Sequence, residues 1–257
     1  MLYLAELVAA ARTRAEALRA AGDDALRRAA AAASGAQPFA AALREAAGSS
    51  LIAEIKRATP SRGALDLDLD AGRQAAAYAR GGAVAISVLT EPRWFCGSLA
   101  DLAAAATAGL PLLRKDFIVE DVQLLESRAA GADAVLLIVR ALGPELPDLI
   151  DRALELGMEP LVEVHDERDV ERALHAGAAL IGVNHRDLET FEVDPDRTAK
   201  LAPLLPPGTT VVALSGVSAR AEVEALEAAG AHAVLVGEAL VRAPDPASAL
   251  RLLRGVA

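Results

Sequence analysis

From residue 51 onward the chain alternates short, almost wholly apolar runs with longer stretches in which polar and apolar residues recur at helical spacing. The apolar runs are LIAEIK from Leu51, AVAISVLT from Ala83, PLLRKDF from Pro111 and AVLLIV from Ala134. They continue with PLVEV from Pro160, LIGVN from Leu180, VVALS from Val211 and AVLVG from Ala233. These eight runs start roughly 20–30 residues apart, room for one strand, one helix and two loops. Continuous apolar runs, rather than strict alternation, are the pattern of parallel strands covered on both faces. A weak internal repeat supports the count. ARGGAVAI, AAGADAVLL, HAGAALIGV and AAGAHAVLV each place glycine between a helical stretch and a strand, where the left-handed end of a helix favours it.

Eight strand–helix units predict an α/β fold, a (β/α)8 TIM barrel. A doubly wound open sheet is the competing architecture, but no GxGxxG follows the first strand. Residues 1–50 read as helical with a break near SGAQPF, and are expected to form an N-terminal extension packed on the barrel. No linker, low-complexity tail or charge run divides the chain, so residues 1–257 are expected to form a single barrel domain.

Charges inside these apolar runs change the picture. Glu54 and Lys56 stand two apart in the first run, so in a strand they share a face. Burying unpaired charge is costly, and one such pair could be structural. In a barrel, however, catalytic groups gather at the C-terminal ends of the strands. Those ends carry Glu54 and Lys56, Lys115 with Asp116, Glu163, Asn184 and Arg186, Ser215 with Gly216, and Gly237. Recurrence at one end of several strands points to a shared polar site. The glycines after the last two strands suit a phosphate held by backbone N–H groups, although Glu238 would repel it if it faced inward.

Composition narrows the function classes. The net charge of −10 argues against a nucleic-acid face or an anionic membrane surface. No apolar run approaches the roughly 20 residues of a membrane span, and the N-terminus lacks the basic start of a secretory signal. The single cysteine, Cys96, excludes an internal disulfide and a cysteine pair for a metal; a cytoplasmic location is the default. Among 26 basic residues only Lys56, Lys115 and Lys200 are lysines. Lysine can give up a proton when its pKa is depressed, which arginine cannot do.

Several segments resemble the indole-3-glycerol-phosphate synthase family of tryptophan biosynthesis. They are LIAEIKRATPSRG, ISVLTEPRWFCGS, PLLRKDFIVEDVQLLESRAAGADAVLLIV, LVEVHD, IGVNHRDLETFEVD and AVLVGEALVRAPDPASAL, in order from about residue 51 to 250. The family has a helical N-terminal extension, which residues 1–50 resemble more by position than by sequence. The resemblance implies closure of the indole ring on 1-(2-carboxyphenylamino)-1-deoxyribulose 5-phosphate with loss of carbon dioxide and water. By that resemblance Lys115 matches the general acid and Glu163 the base of the dehydration. Lys56 matches a second lysine that binds substrate, the division of acid roles between the lysines staying open, and Glu54 holds both ammonium groups. Asn184, Arg186 and Ser215 would position the substrate, while Phe95, Phe117 and Leu136 enclose the anilino ring. Thr59, Gly216, Gly237 and Glu238 fall at phosphate-loop positions. The substrate brings its own leaving carboxylate, so no cofactor or metal is implied. The expected partner is a small phosphorylated substrate, with the chain a monomer or weak homodimer.

Two positions depart from the family pattern. Leu214 stands where the family usually has glutamate, removing one carboxylate from the rim, and His185 replaces a second asparagine and is expected to face outward in its loop. His165, His175 and His232 lack metal-ligand spacing and read as surface or hydrogen-bonded loop residues. Trp94 reads equally as pocket cover or loop packing. Two rival functions remain at this stage: a Schiff-base aldolase using Lys115, and a weakly active or non-catalytic paralogue that binds sugar phosphate.

Overall fold

The computed structural model describes residues 3–60, 62–187 and 190–256. Ser61, Leu188 and Glu189, which fall within two of the segments quoted above, lie outside the described residues. Strand β1 (Leu51–Ile55) is followed by a short antiparallel hairpin, β2 (Ala58–Thr59) and β3 (Gly63–Ala64). Then come β4 (Ala85–Leu89), β5 (Leu112–Lys115), β6 (Ala134–Ile138) and β7 (Glu159–Val164). The series ends with β8 (Leu180–Asn184), β9 (Thr210–Leu214) and β10 (Ala233–Val236). Apart from the hairpin, neighbours pair in parallel, and β1 closes the ring by pairing with both β4 and β10. An open doubly wound sheet is thereby excluded. The eight apolar runs are the eight barrel strands; the hairpin, two residues to a strand, was too short to leave an apolar signature.

Helices follow the strands and cover the barrel. Asp70, Ser98, Asp166 and Asp245 cap four of them by accepting backbone N–H groups of the first turn, satisfying donors that have no partner within the helix. The first fifty residues form α1 (Tyr3–Ala20), α2 (Asp24–Ala32) and α3 (Phe39–Glu45). The break at residues 34–38 was legible in the sequence; the one at Gly22, whose φ is +84°, was not. Helix α1 buries Leu7, Ala11 and Ala15 along one stripe and sends Arg14 to Glu91 (3.3 Å) and Asp116 (2.7 Å) on the barrel.

Register sorts the strand residues into those facing the barrel axis and those facing the helices. In a parallel sheet, residues paired across strands share a face, and the face alternates along each strand. The pairs Glu54↔Ser87, Leu89↔Lys115, Leu136↔Leu161, Glu163↔Gly182 and Asn184↔Leu214 put all these side chains inside. Asp116 has the opposite parity. It bonds Arg114 and Thr90 between barrel and helices, so it does not join the polar site in which its position had placed it.

Candidate active site

A cavity of about 550 Å³ opens at the C-terminal ends of the strands. Its centre is a carboxylate held by two ammonium groups. Glu54 Oε2 accepts from Lys56 Nζ at 2.6 Å, and Oε1 from Lys115 Nζ at 2.8 Å. Burial alone would raise the Glu54 pKa, but Lys115 and Lys56 outweigh it and hold the carboxyl at about 2. Burial likewise disfavours the Lys115 ammonium, yet Glu54 and then Glu163 more than compensate, and its pKa stands above the ordinary lysine value. Lys115 is therefore a protonated donor. A Schiff-base nucleophile needs the opposite, an amine whose pKa is depressed, so the geometry disfavours the aldolase reading.

The wall beside this cluster is aromatic. Phe95 and Phe117 line the cavity with ring centroids 6.5 Å apart. Phe95 sits on the loop after β4, which is shaped by Glu91, a residue that no sequence motif marks. The buried Glu91 carboxylate accepts the backbone N–H groups of Arg93 (3.0 Å), Trp94 (2.7 Å) and Phe95 (3.1 Å), and Arg14 of α1 reaches the same group. Gly97 closes the loop so tightly against the end of β4 that a Cβ there would lie 2.0 Å from the Leu89 carbonyl oxygen. Trp94 is absent from the cavity lining and stacks under Arg93, 4.5 Å from its ring centroid.

The opposite side is formed by glycine turns and arginines. Ser215 and Gly216 have φ of +70° and +85°, and both line the cavity with Gly237, the residue before the short helix Glu238–Val241. Glu238 does face this side, but Arg62 (2.6 Å) and Arg242 (3.0 Å) both donate to it. Thr59 lines the cavity too and accepts the Arg62 N–H at 3.1 Å. Asn184 accepts the Arg186 N–H at 3.1 Å, and the Arg186 guanidinium is held by the Phe191 carbonyl at 2.9 Å. Among the described lining residues Lys56, Lys115, Arg62, Arg186 and Arg242 face only Glu54 and Glu238. A net positive basin in a chain of charge −10 attracts anionic ligands.

Two of the residues implied by the resemblance lie outside the cavity lining. Leu136 pairs with Leu161, a layer deeper than Glu163, whose partner on β6 is Ile138. Glu163 is 1% exposed, behind the lining and close enough to raise the Lys115 pKa. Leu214 faces the interior, fully buried, with Cδ1 2.8 Å from where a Gly182 Cβ would stand. Two histidines are more buried than their positions suggested. His185 turns away from the axis but is no surface loop residue: it is 2% exposed, with Nε2 2.8 Å from Thr198 Oγ1 and Nδ1 3.3 Å from the Ser215 carbonyl. Burial lowers its pKa, favouring the neutral ring. His165 is also buried, beside Glu163, whereas His175 and His232 are exposed as expected.

Residues 4–253 match the model of the family described as indole-3-glycerol phosphate synthase, a span that includes most of the N-terminal helices. The indole-3-glycerol phosphate synthase of Mycolicibacterium vanbaalenii is 56% identical over 212 residues, 82% of this chain and 78% of its own. That of Desulfosudis oleivorans is 51% identical over 222 residues, 84% of each chain. Indole-3-glycerol phosphate synthase 2 of Streptomyces coelicolor is 53% identical over 228 residues, 88% of each. Among solved structures, thiamine phosphate pyrophosphorylase from Pyrococcus furiosus superposes with a TM-score of 0.60 at 16% identity, covering 80% of this chain and 94% of that one, a likeness of fold alone. With eight barrel strands, a lysine–glutamate–lysine centre and relatives of this identity, the chain belongs to the indole-3-glycerol phosphate synthase family.

Proposed function

We propose that the protein is a carboxy-lyase of tryptophan biosynthesis that closes the indole ring of 1-(2-carboxyphenylamino)-1-deoxyribulose 5-phosphate. The observation that carries this reading is Lys115, held as ammonium by Glu54 beside an aromatic wall and facing a cationic basin. The substrate needs each part: an apolar slot for its anilino ring, cations for its carboxylate and phosphate, and an acid at its carbonyl oxygen. In the first step the ring carbon bearing the carboxylate attacks the carbonyl carbon while Lys115 Nζ delivers a proton to the oxygen. The carboxylate leaves as carbon dioxide, and its bonding electrons restore the aromatic ring. In the second step the new hydroxyl departs as water, assisted by an ammonium group, and Glu163 removes the proton whose loss forms the indole double bond. Positioned acids and bases contribute about 10²–10⁴ each.

Asn184, Arg186 and Ser215 would position the ribulose chain, and the phosphate would lie against Thr59, Gly216, Gly237 and Arg242. Glu238 does not oppose this, since two arginines neutralise it. Leu136 would support the ring slot from beneath rather than line it. No cofactor enters the scheme, residues 1–257 act as one unit, and a cytoplasmic location suits a biosynthetic enzyme. Among the described residues no helix is long and apolar enough to cross a membrane. The test is direct: purified protein given the anilino-deoxyribulose phosphate should generate indole fluorescence with stoichiometric release of carbon dioxide. Binding without turnover would replace this reading with the sugar-phosphate-binding paralogue.

A further inference from the structure

Behind the cavity the structure buries polar atoms that lack hydrogen bonds and face one another. Glu163 Oε1 has no hydrogen-bond partner, and neither does either ring nitrogen of His165. His165 Nε2 lies 3.5 Å from Glu163 Oε1, and Nδ1 lies 3.7 Å from Asp169 Oδ2. The His165 side chain is 0% exposed and that of Glu163 2%, so bulk water does not reach them. Buried polar groups are paired in the great majority of cases, and leaving one unmade costs more than making it gains. A ring donor and a carboxylate oxygen facing each other just beyond bonding range call for an explanation.

The group behind the ring is itself held in place. Asp169 Oδ2 is fixed by the His165 backbone N–H and by Arg140 Nε, each at 3.0 Å. Arg140 also donates to Asp166 at 2.7 Å and stands 3.5 Å from Asp187, beside Arg186. The loops after β6, β7 and β8 are thus tied together behind His165. In ligand-free sites catalytic hydrogen bonds are often long and tighten only when substrate binds.

We infer that His165 is a positioning residue: its Nε2–H bonds Glu163 Oε1 in the substrate complex, leaving Oε2 as the oxygen that removes the proton. This rests on the reading of Glu163 as the base. A carboxylate anchored through one oxygen keeps one defined direction for accepting a proton, whereas an unanchored one rotates. Lys115 acts on the same carboxylate electrostatically, while Nδ1, 3.7 Å from Asp169 Oδ2, makes no hydrogen bond in this tautomer.

Substitution can separate the two ring nitrogens. Glutamine places an amide N–H near the Nε2 position, asparagine near Nδ1, and leucine offers no donor. His165→Gln should keep kcat within about fivefold, while His165→Asn and His165→Leu should lose tenfold or more in kcat with KM changed less than threefold. A purely structural role would track unfolding midpoints, not the donor's position. In wild-type enzyme, 15N spectra of the His165 ring should show the Nε2–H tautomer, with that resonance moving when indole-3-glycerol phosphate is added. Asparagine rescuing as well as glutamine, leucine retaining activity, or an Nδ1–H tautomer overturns the inference. Should Glu163→Gln retain wild-type kcat, the base assignment fails instead, and the tautomer result still decides whether the bond exists.

Discussion

Gly237 tests whether the Glu54 geometry matters to catalysis. A Cβ added there would stand 2.4 Å from Glu54 Oε2 and 3.1 Å from Lys56 Nζ. Ordinary separation is about 3.5 Å, so in Gly237→Ala the carboxylate must withdraw by roughly 1 Å. It has little room to do so, because Lys56 and Lys115 grip its two oxygens at 2.6 and 2.8 Å. Alanine at Gly237 retains the backbone N–H that would meet phosphate, so the anion site keeps its donor. Overpacking of this kind costs about 1–3 kcal/mol, and a 1 Å misplacement of catalytic groups can cost about 10²-fold in rate. Indole fluorescence should therefore show kcat falling about a hundredfold, urea unfolding a loss within the overpacking range, and the inhibition constant of inorganic phosphate staying within threefold. A variant of normal stability with kcat within twofold of wild type would refute the reasoning, because the Glu54–lysine geometry would then be dispensable. A defect confined to phosphate affinity would move the role of Gly237 from Glu54 to the anion.

Lys115→Arg keeps the charge beside Glu54 but cannot release a proton near neutrality; kcat should fall at least a hundredfold with KM within tenfold, and a near-normal rate would reduce Lys115 to an anchor. Glu54, whose pKa falls from 4.5 unfolded to about 2 folded, stabilises the fold above its unfolded value and loses that contribution as pH falls toward 2. That amounts to about 3 kcal/mol, and urea midpoints of Glu54→Gln and wild type should converge across this window rather than run parallel. Leu214→Glu adds a carboxylate to the inward layer beside Asn184, favouring lysine protonation; the alkaline limb of the rate profile should move upward and turnover rise. An unchanged profile would place Leu214 outside the chemistry. Inorganic phosphate should inhibit competitively against substrate, and noncompetitive inhibition would put the anion elsewhere than beside Gly216 and Arg242.

Much of this protein was legible as a string of residues. Eight apolar runs at regular spacing define the barrel because a parallel strand covered on both faces needs apolar side chains on both. The chemistry of the rim was visible for a similar reason: Glu54, Lys56 and Lys115 interrupt runs in which charge is costly unless it is paired. Parity along each strand then orients the side chains without coordinates. What local pattern does not carry is which distant residues meet. Glu91 shapes the loop of Phe95 through three N–H groups, and nothing in EPRWFCGS separates it from a surface glutamate. Arg14 reaches Asp116 across 102 residues, and of the two arginines that pair with Glu238, Arg62 comes from the hairpin, 176 residues away. The corrected reading of His165 and the unforeseen burial of His185 have the same origin: burial belongs to the closed barrel, not to the tripeptide around a histidine. The sequence by itself determined the strands, their facing and the residue types at the rim, since these follow from the period of a strand and the cost of buried charge. Only the tertiary structure decided which charges pair, which glycines leave room for a carboxylate and which loop residues are sealed from water, because contacts between residues far apart in the chain exist only once the ring is closed.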